Sequence, residues 1–373
     1  MTICIESQLL NHHQRSGLLT YTEGLVNSLQ RNDKNNVYDL LFYSLWRQAK
    51  DMPGPTSENF RKIVLRVPDR TFKGRQSLID NLFLPPFLKH KKVRIFHRPS
   101  GYTMPTLKGI FKILTVHDLR TLTIGDNFLK QNIENYRKTL RAVDCCIAVS
   151  ECTKRDLMNH FQLEEQKIRV VYLGADERFR PAPLEKVRLL REKYNIHEPF
   201  FLSLGSVDRK NIDGIIKGFA KSIVKSKCLL ILGINWDIDK YKNLIESLDI
   251  TDRVRILAGL KDDEIVSLYS DCIAFLFPSL YEGFGLPILE AMQCGAPVIT
   301  SNVSSCPEVA GDAAIIVAPN NISQISDAIN QIYNNPSFRM DFIRKGYSRA
   351  ANFSWDKFGK EMMSVYSSAE KIL

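Results

Sequence analysis

Apolar residues in this 373-residue chain cluster into short runs bounded by turn-forming residues, and between the runs they recur at helical spacing. The runs Thr2–Ile5, Tyr38–Tyr43, Val93–His97, Phe111–Val116, Cys145–Val149 and Arg169–Tyr172 predict strands. Helices are predicted between several of them, notably at Leu18–Leu29, Phe128–Arg141 and Glu151–Phe161. The pattern restarts at Phe200–Leu204 and continues through Cys228–Leu232, Arg253–Leu257, Cys272–Phe277, Pro297–Thr300 and Ala314–Val317. Strands alternating with helices are βα units stacked on a parallel sheet, so the expected fold class is α/β. The restart implies two separate layers.

Between the layers, Asp176–Pro199 carries Pro181, Pro183 and Pro199 around a charged helical stretch, and the linker is expected at its start. Three closing helices are predicted at Ser323–Asn334, Pro336–Asn352 and Trp355–Ile372. The expected division is a first domain at 1–176, a second at 177–352, and a final segment at 353–373 whose helix packs back on the first. A length near 373 residues fits two domains of about 150 each.

Composition adds one asymmetry. Apolar residues (44%) and charged residues (25%) are in globular proportion. The net charge is +10, and all of it lies in residues 1–185, which hold 29 basic and 19 acidic side chains against 22 of each in the rest. A basic half beside a neutral one points to an anionic partner met by one face: a membrane surface, an anionic glycolipid or a nucleic acid. The densest basic stretch, Phe60–Arg98, carries 11 Lys or Arg against two Asp, and its plainest reading is a solvated surface. It lacks a nucleic-acid reading module, so no nucleic-acid partner is expected. The start, Met1 to Gln14, has no basic then apolar leader, and no apolar run approaches the ~20 residues of a membrane span. The expected location is the cytoplasm, peripheral on the inner face of the cytoplasmic membrane. The eight cysteines form no C-x-x-C pair and lie mostly in apolar runs, which reads as buried thiols.

The stretch Phe277–Met292 is the most informative for chemistry. It leaves an apolar strand, breaks at Pro278, passes Gly283 and Gly285, and enters a helix with Pro287 in its first turn. Such a junction at the C-terminal end of a parallel strand binds ligands, and its free N–H groups and helix dipole favour phosphate or sugar oxygens. Glu282 in the loop and Glu290 one turn into the helix can grip hydroxyls on two parts of one ligand. The competing reading is an ordinary helix start with one solvated glutamate. Arg209-Lys210 follows the strand Phe200–Leu204, and His117-Asp118 closes the strand Phe111–Val116. An imidazole there can bond a sugar hydroxyl or steady a developing charge; the alternative is a histidine satisfied by its own loop.

These stretches together resemble glycosyltransferase family 4, retaining sugar-nucleotide transferases of the GT-B fold, whose Glu-x7-Glu motif matches Glu282 to Glu290. Tyr21–Leu25, Val116–Leu119, Ala148–Leu157, Leu204–Asn211 and Pro307–Gly311 resemble the family in its order, so nearly the whole chain is covered. The resemblance implies two Rossmann-like domains facing a central cleft. It implies that Glu290 binds the nucleotide ribose, and that Glu282 with backbone groups of Gly283, Phe284, Gly285 and Leu286 holds the transferred sugar. Arg209 and Lys210 would face the diphosphate, and His117 would lie beside the donor sugar. Gly17 belongs to the loop near the phosphate, and the backbone at Leu257 meets the base. Phe277–Met292 with Ser301–Ser305 looks most like bacterial O-antigen mannosyltransferases, which implies GDP-mannose as donor and a glycan or lipid-linked glycan as acceptor, in O-antigen or lipopolysaccharide synthesis. UDP-glucose or another nucleotide sugar is the alternative donor, and an inactive nucleotide-sugar-binding protein the alternative function.

Two positions depart from the family pattern. Leu19 stands where a second glycine is usual, and Ser206 where an arginine often follows the glycine after the strand. Asp237-Ile238-Asp239 has the letters of a metal motif, but Lys240 and Lys242 follow it at an expected helix start, where Asp is a common cap. No metal and no cofactor beyond the substrate nucleotide are expected.

Overall fold

The computed structural model describes residues 1–11, 16–45, 57–67, 78–120, 127–205, 207–224, 228–235 and 237–372. Ser206 and residues 68–77 of the basic stretch lie outside the described residues. Contacts divide the chain into two compact units, Met1–Gly174 with Trp355–Leu373, and Ala175–Ser354.

The first unit holds strands β1 (Thr2–Glu6), β2 (Val37–Leu45), β3 (Phe60–Val67), β4 (Ile95–Arg98), β5 (Phe111–Val116), β6 (Cys145–Ala148) and β7 (Ile168–Val170). They form one sheet in the order β3-β2-β1-β4-β5-β6-β7, every neighbouring pair parallel. Its helices include α1 (Gly17–Asn32), α2 (Leu84–His90), α3 (Asn127–Ala142) and α4 (Glu151–Phe161). Because β1 sits mid-sheet and the order reverses beside it, this is a doubly wound sheet with its switch point between β1 and β4. The β4, β5 and β6 strands are almost wholly buried, as a sheet covered on both faces requires, even where β4 carries His97 and Arg98.

β3 was not among the expected strands. Phe60–Val67 alternates buried and exposed positions, with Arg61, Lys62 and Arg66 on the open side and Phe60, Ile63, Leu65 and Val67 on the core side. The basic stretch is therefore partly an edge strand whose cations face water, a common protection for a sheet edge. α2 was likewise not among the expected helices; Pro85 and Pro86 stand in its first turn, where proline is tolerated. Gly17-Leu18-Leu19 forms the first turn of α1: the Ser16 hydroxyl caps it by accepting the Leu19 N–H at 3.2 Å, and Leu19 is buried.

The second unit holds β8 (Phe200–Leu204), β9 (Leu229–Gly233), β10 (Val254–Leu257), β11 (Ala274–Phe277), β12 (Val298–Ser301) and β13 (Ala314–Val317), in the order β10-β9-β8-β11-β12-β13, all parallel. Its helices are α5 (Leu184–Lys193), α6 (Ile212–Lys221), α7 (Ile238–Ser247), α8 (Asp262–Asp271), α9 (Leu286–Gln293), α10 (Cys306–Ala310), α11 (Ile322–Asn334) and α12 (Pro336–Ala350). The switch point falls between β8 and β11. Asp237 does stand at the start of α7, but in a left-handed conformation (φ 56°) and with no capping hydrogen bond from its side chain, so the expected cap is absent.

The last helix, α13 (Trp355–Glu370), packs in the first unit against α1. A Cβ on Gly24 would lie 2.2–2.4 Å from the Trp355 ring, and one on Gly359 would lie 2.8 Å from Ser28 Cβ, so both glycines let the helices close. A buried hydrogen-bond chain fastens the joint. Tyr21 Oη lies 2.8 Å from Thr115 Oγ1, Thr115 Oγ1 lies 2.9 Å from His97 Nε2, and His97 Nδ1 lies 2.7 Å from Tyr366 Oη. Burial pushes the His97 pKa down to about 3, so its imidazole is neutral. All eight cysteines are free and buried.

Candidate active site

The second unit brings three of the candidate residues into contact at its switch point, at the C-terminal ends of β8 and β11. After β8 the chain turns at Gly205, in the left-handed region (φ 95°), whose N–H donates to the Gly233 carbonyl at 2.9 Å. Arg209 and Lys210 lie in a short 3-10 turn, Asp208–Lys210, ahead of α6 and not in that helix itself. The turn is tied to the loop after β11. The Asn211 side-chain amide donates to the carbonyls of Pro278 (3.1 Å) and Pro319 (2.7 Å), and the Leu280 N–H donates to the Arg209 carbonyl at 2.7 Å.

That bracing sets a buried ion cluster. Lys210 Nζ donates to Glu282 Oε1 at 2.7 Å, and Arg209 Nη1 pairs with Glu282 Oε2. Glu282 is 6% exposed and Lys210 9%. The Lys210 ammonium also stands 4.1 Å from the centroid of the Phe277 ring, a cation–π contact. Burial raises the Glu282 pKa, but Lys210 and Arg209 outweigh it and hold the carboxyl below the ordinary glutamate value. Burial likewise pushes Lys210 below the ordinary lysine value, with Glu282 opposing. Arg209 Nε is buried with no hydrogen-bond partner among the described residues, an unspent donor in a cationic pocket.

Two serines that sequence reasoning did not single out as site residues hold the Glu282 loop in place. The Glu282 N–H donates to Ser304 Oγ at 2.9 Å, and Ser304 is itself left-handed (φ 53°). The fully buried Ser305 hydroxyl lies 2.9 Å from the Glu282 carbonyl and 2.7 Å from that of Phe284. Their signal was a serine pair just past the C-terminal end of β12, next to the strand that carries the loop.

Gly285 occupies the cap of α9 at φ 105°, where a side chain would be strained and its Cβ would lie 3.2 Å from Ile288 Cδ1. Gly283, Phe284 and Leu286 flank it, and Glu290 projects half-buried from the second turn of α9. Leu257 ends β10, its carbonyl accepting the Ile234 N–H at 3.0 Å. Beyond it Gly259 (φ 67°) donates its N–H to Asn235 Oδ1 at 2.9 Å.

His117 and Gly17 belong to the first unit. His117 follows β5, half-buried, with its Nε2 2.7 Å from the Pro99 carbonyl and the Tyr21 ring edge-on at 4.7 Å. A carbonyl only accepts, so Nε2 carries the proton and Nδ1 is left as an acceptor in the neutral ring. Burial pushes its pKa below the ordinary value, partly offset by the Pro99 bond and Asp118, which favours the neutral form. Gly17 is exposed at the start of α1. Among the described residues, no group of three His, Cys, Asp or Glu side chains could hold a metal ion.

Two doubly wound parallel sheets, of seven and six strands, are the architecture of the GT-B fold. Residues 16–179 match the family described as Glycosyltransferase Family 4 and residues 187–349 the family Glycosyl transferases group 1, and the chain belongs to this glycosyltransferase family. O-antigen chain mannosyltransferase B of Escherichia coli is 29% identical over 289 residues, covering 75% of each chain. Serotype-specific mannosyltransferase WbdA, also of Escherichia coli, is 27% identical over 257 residues, covering 65% of this chain and 32% of WbdA, so the match spans about a third of that relative. Among solved structures, sucrose-phosphate synthase from Thermosynechococcus elongatus superposes with a TM-score of 0.77 at 19% identity over 100% of both chains. Anabaena HepE in complex with UDP and glucose superposes at 0.73 and 15% identity, covering 99% of this chain and 100% of that one.

Proposed function

We propose that this chain is a retaining hexosyltransferase that moves mannose from GDP-mannose to a hydroxyl of a glycan or lipid-linked glycan, in O-antigen or related polysaccharide synthesis. The observation that carries the transferase reading is the buried cluster of Arg209, Lys210 and Glu282, two cations sharing one carboxylate. Arg209 and Lys210 meet the donor diphosphate, and the unspent Arg209 Nε–H supplies a further donor to it. As the sugar leaves, negative charge grows on that diphosphate. Fixed cations in a water-poor pocket stabilise it without reorganising.

Glu282 holds the transferred sugar. An ionised carboxylate has about four acceptor sites, and the two cations use two of them, so capacity remains for sugar hydroxyls. The N–H groups at the start of α9 add donors beside it, and Glu290 takes the ribose hydroxyls. Neutral His117 offers Nδ1 as an acceptor to a hydroxyl of the donor sugar. Substitution on the face from which the nucleotide leaves, with the departing phosphate taking the acceptor's proton, retains the anomeric configuration and needs no enzymic nucleophile or metal.

Mannose is favoured by the names of the relatives, both mannosyltransferases. A UDP-glucose donor is the second reading, favoured by the likeness to HepE bound to UDP and glucose. A thermal-shift panel of GDP-, UDP-, ADP- and dTDP-sugars separates them, because a ligand that binds only the folded state raises its stability with the logarithm of concentration over Kd. GDP-mannose is expected to give the largest shift. A larger shift with UDP-glucose overturns the mannose assignment, and no shift with any nucleotide sugar overturns the transferase reading.

A further inference from the structure

We propose that Asn235 reads the nucleobase of the donor, taking bases that present a carbonyl and rejecting those with an amino group at the same position; the inference rests on the nucleotide-sugar reading above. Asn235 is exposed just past the C-terminal end of β9, and its Oδ1 accepts the Gly259 N–H at 2.9 Å. A backbone N–H only donates, so this bond fixes which end of the amide is oxygen. The Nδ2 group keeps two N–H donors with no partner among the described residues.

The backbone that Asn235 holds is the stretch expected to meet the base. Leu257-Ala258-Gly259 leaves β10, and the Leu257 carbonyl accepts the Ile234 N–H at 3.0 Å, so Ile234 and Asn235 fasten this loop at successive positions. Ala258 and Gly259 are exposed, and a Cβ on Gly259 would meet nothing within 4 Å, which leaves open space over the loop. The loop also leans toward the two cations. A Cβ on Gly233 would lie 2.8 Å from Leu260 Cδ1 and 2.4 Å from Leu204 Cδ2, so the residue after Gly259 and the last residue of β8 both close over the end of β9. The Gly233 carbonyl accepts the Gly205 N–H, at the start of the turn that carries Arg209 and Lys210. β10 stands two strands from β8, about 10 Å at ~4.8 Å per strand, within reach of a base joined through a ribose to a diphosphate at those cations.

Guanine, uracil and thymine carry a carbonyl acceptor where adenine and cytosine carry an amino donor. The Asn235 donor bonds the first kind. Against the second, N–H faces N–H and both go unpaired once the base covers them. Asn235 thereby narrows the donor to GDP-, UDP- or dTDP-sugars and disfavours ADP-sugars.

The test uses the full chain and two pairs of nucleoside diphosphates, inosine diphosphate with ADP and UDP with CDP, each pair sharing a ring system and exchanging a carbonyl for an amino group. In calorimetric titration, wild type is expected to favour the carbonyl member by about tenfold or more in the pair that binds tighter, roughly one hydrogen bond made against donors left unpaired. Asn235→Asp keeps an oxygen for the Gly259 N–H but replaces the donor by an acceptor, so the preference should fall by about tenfold or more. The added charge meets both members of a pair alike and cancels in their ratio. Asn235→Ala should abolish the preference, while its affinity for inorganic pyrophosphate, which has no base, stays at the wild-type value and reports an intact fold. Equal affinity of wild type for both members, or a preference unchanged in both variants, overturns the proposal and leaves the transferase reading standing. Loss of pyrophosphate binding in step with the preference would mark Asn235 as structural only and overturns it too. No binding of any nucleoside diphosphate to wild type would overturn the transferase reading and this inference with it.

Discussion

Replacing Glu282 by glutamine separates the two jobs assigned to this residue. The substitution keeps size and shape but removes the one negative charge that pairs with Lys210 at 2.7 Å and with Arg209. Breaking a buried ion pair by removing one partner costs about 3–5 kcal/mol, because the remaining charge is left uncompensated. Glutamine retains an acceptor oxygen, so the lower end, about 3 kcal/mol, applies to the empty protein. At about 2–4 °C per kcal/mol for a unit of this size, its melting temperature should fall by about 6–12 °C. A nucleoside diphosphate brings the missing negative charge back. The variant should therefore bind the free nucleoside diphosphate more tightly than wild type, by about tenfold if half of that cost, roughly 1.4 kcal/mol, is recovered. Sugar transfer should fall about 10²-fold or more, because the sugar loses its carboxylate. Differential scanning fluorimetry, calorimetric titration with the diphosphate and a product assay read these three effects. Weaker diphosphate binding in a folded variant would refute the reasoning, since it would mean that the carboxylate does not compete with the diphosphate for the two cations.

Four further outcomes are expected. Lys210→Ala should lower kcat by about 10²-fold or more, and unchanged turnover in a folded variant would remove Lys210 from the mechanism. Glu290→Ala should weaken nucleoside diphosphate binding by about tenfold, the loss of roughly one charge-assisted hydrogen bond, while turnover at saturating donor holds; equal calorimetric affinity would contradict the ribose assignment. The depressed Glu282 pKa contributes stability that is complete above the unfolded value of about 4.3 and is lost as pH falls through the lower folded value. The melting temperature of wild type should thus drop more steeply below pH 5 than that of Glu282→Gln, and parallel curves would deny the linkage. Gly24→Ala places a methyl within 2.4 Å of the Trp355 ring and should loosen α13 from α1 by about 1–3 kcal/mol, read as earlier proteolysis of the C-terminal helix; an unaffected digest would count against close packing there.

The chain announces its βα rhythm openly because buried parallel strands are nearly continuous apolar runs, so both sheets and the loop from Pro278 to Gly285 were legible. β3 was hidden for the opposite reason: three cations on its open side dilute the apolar signal of an edge strand. Glu282, Arg209 and Lys210 stood out as charged residues at strand ends, yet their mutual pairing was not readable, since 72 residues separate Lys210 from Glu282. Ser304 and Ser305 were concealed because they act on backbone groups 21–23 residues away, and the His97–Tyr366 bond because its partners lie 269 residues apart. His117 was expected to bond a sugar hydroxyl or steady a developing charge, or else to be satisfied by its own loop; its Nε2 is taken by the Pro99 carbonyl, and burial favours the neutral ring, whose Nδ1 is an acceptor.

The most direct test of the account is a crystal structure of the chain with the sugar nucleotide that the thermal-shift panel selects. It should show the diphosphate within hydrogen-bond distance of Arg209 and Lys210, the sugar against Glu282 and the ribose against Glu290. A donor seated with its diphosphate away from both cations, while Glu282 keeps them to itself, would contradict it.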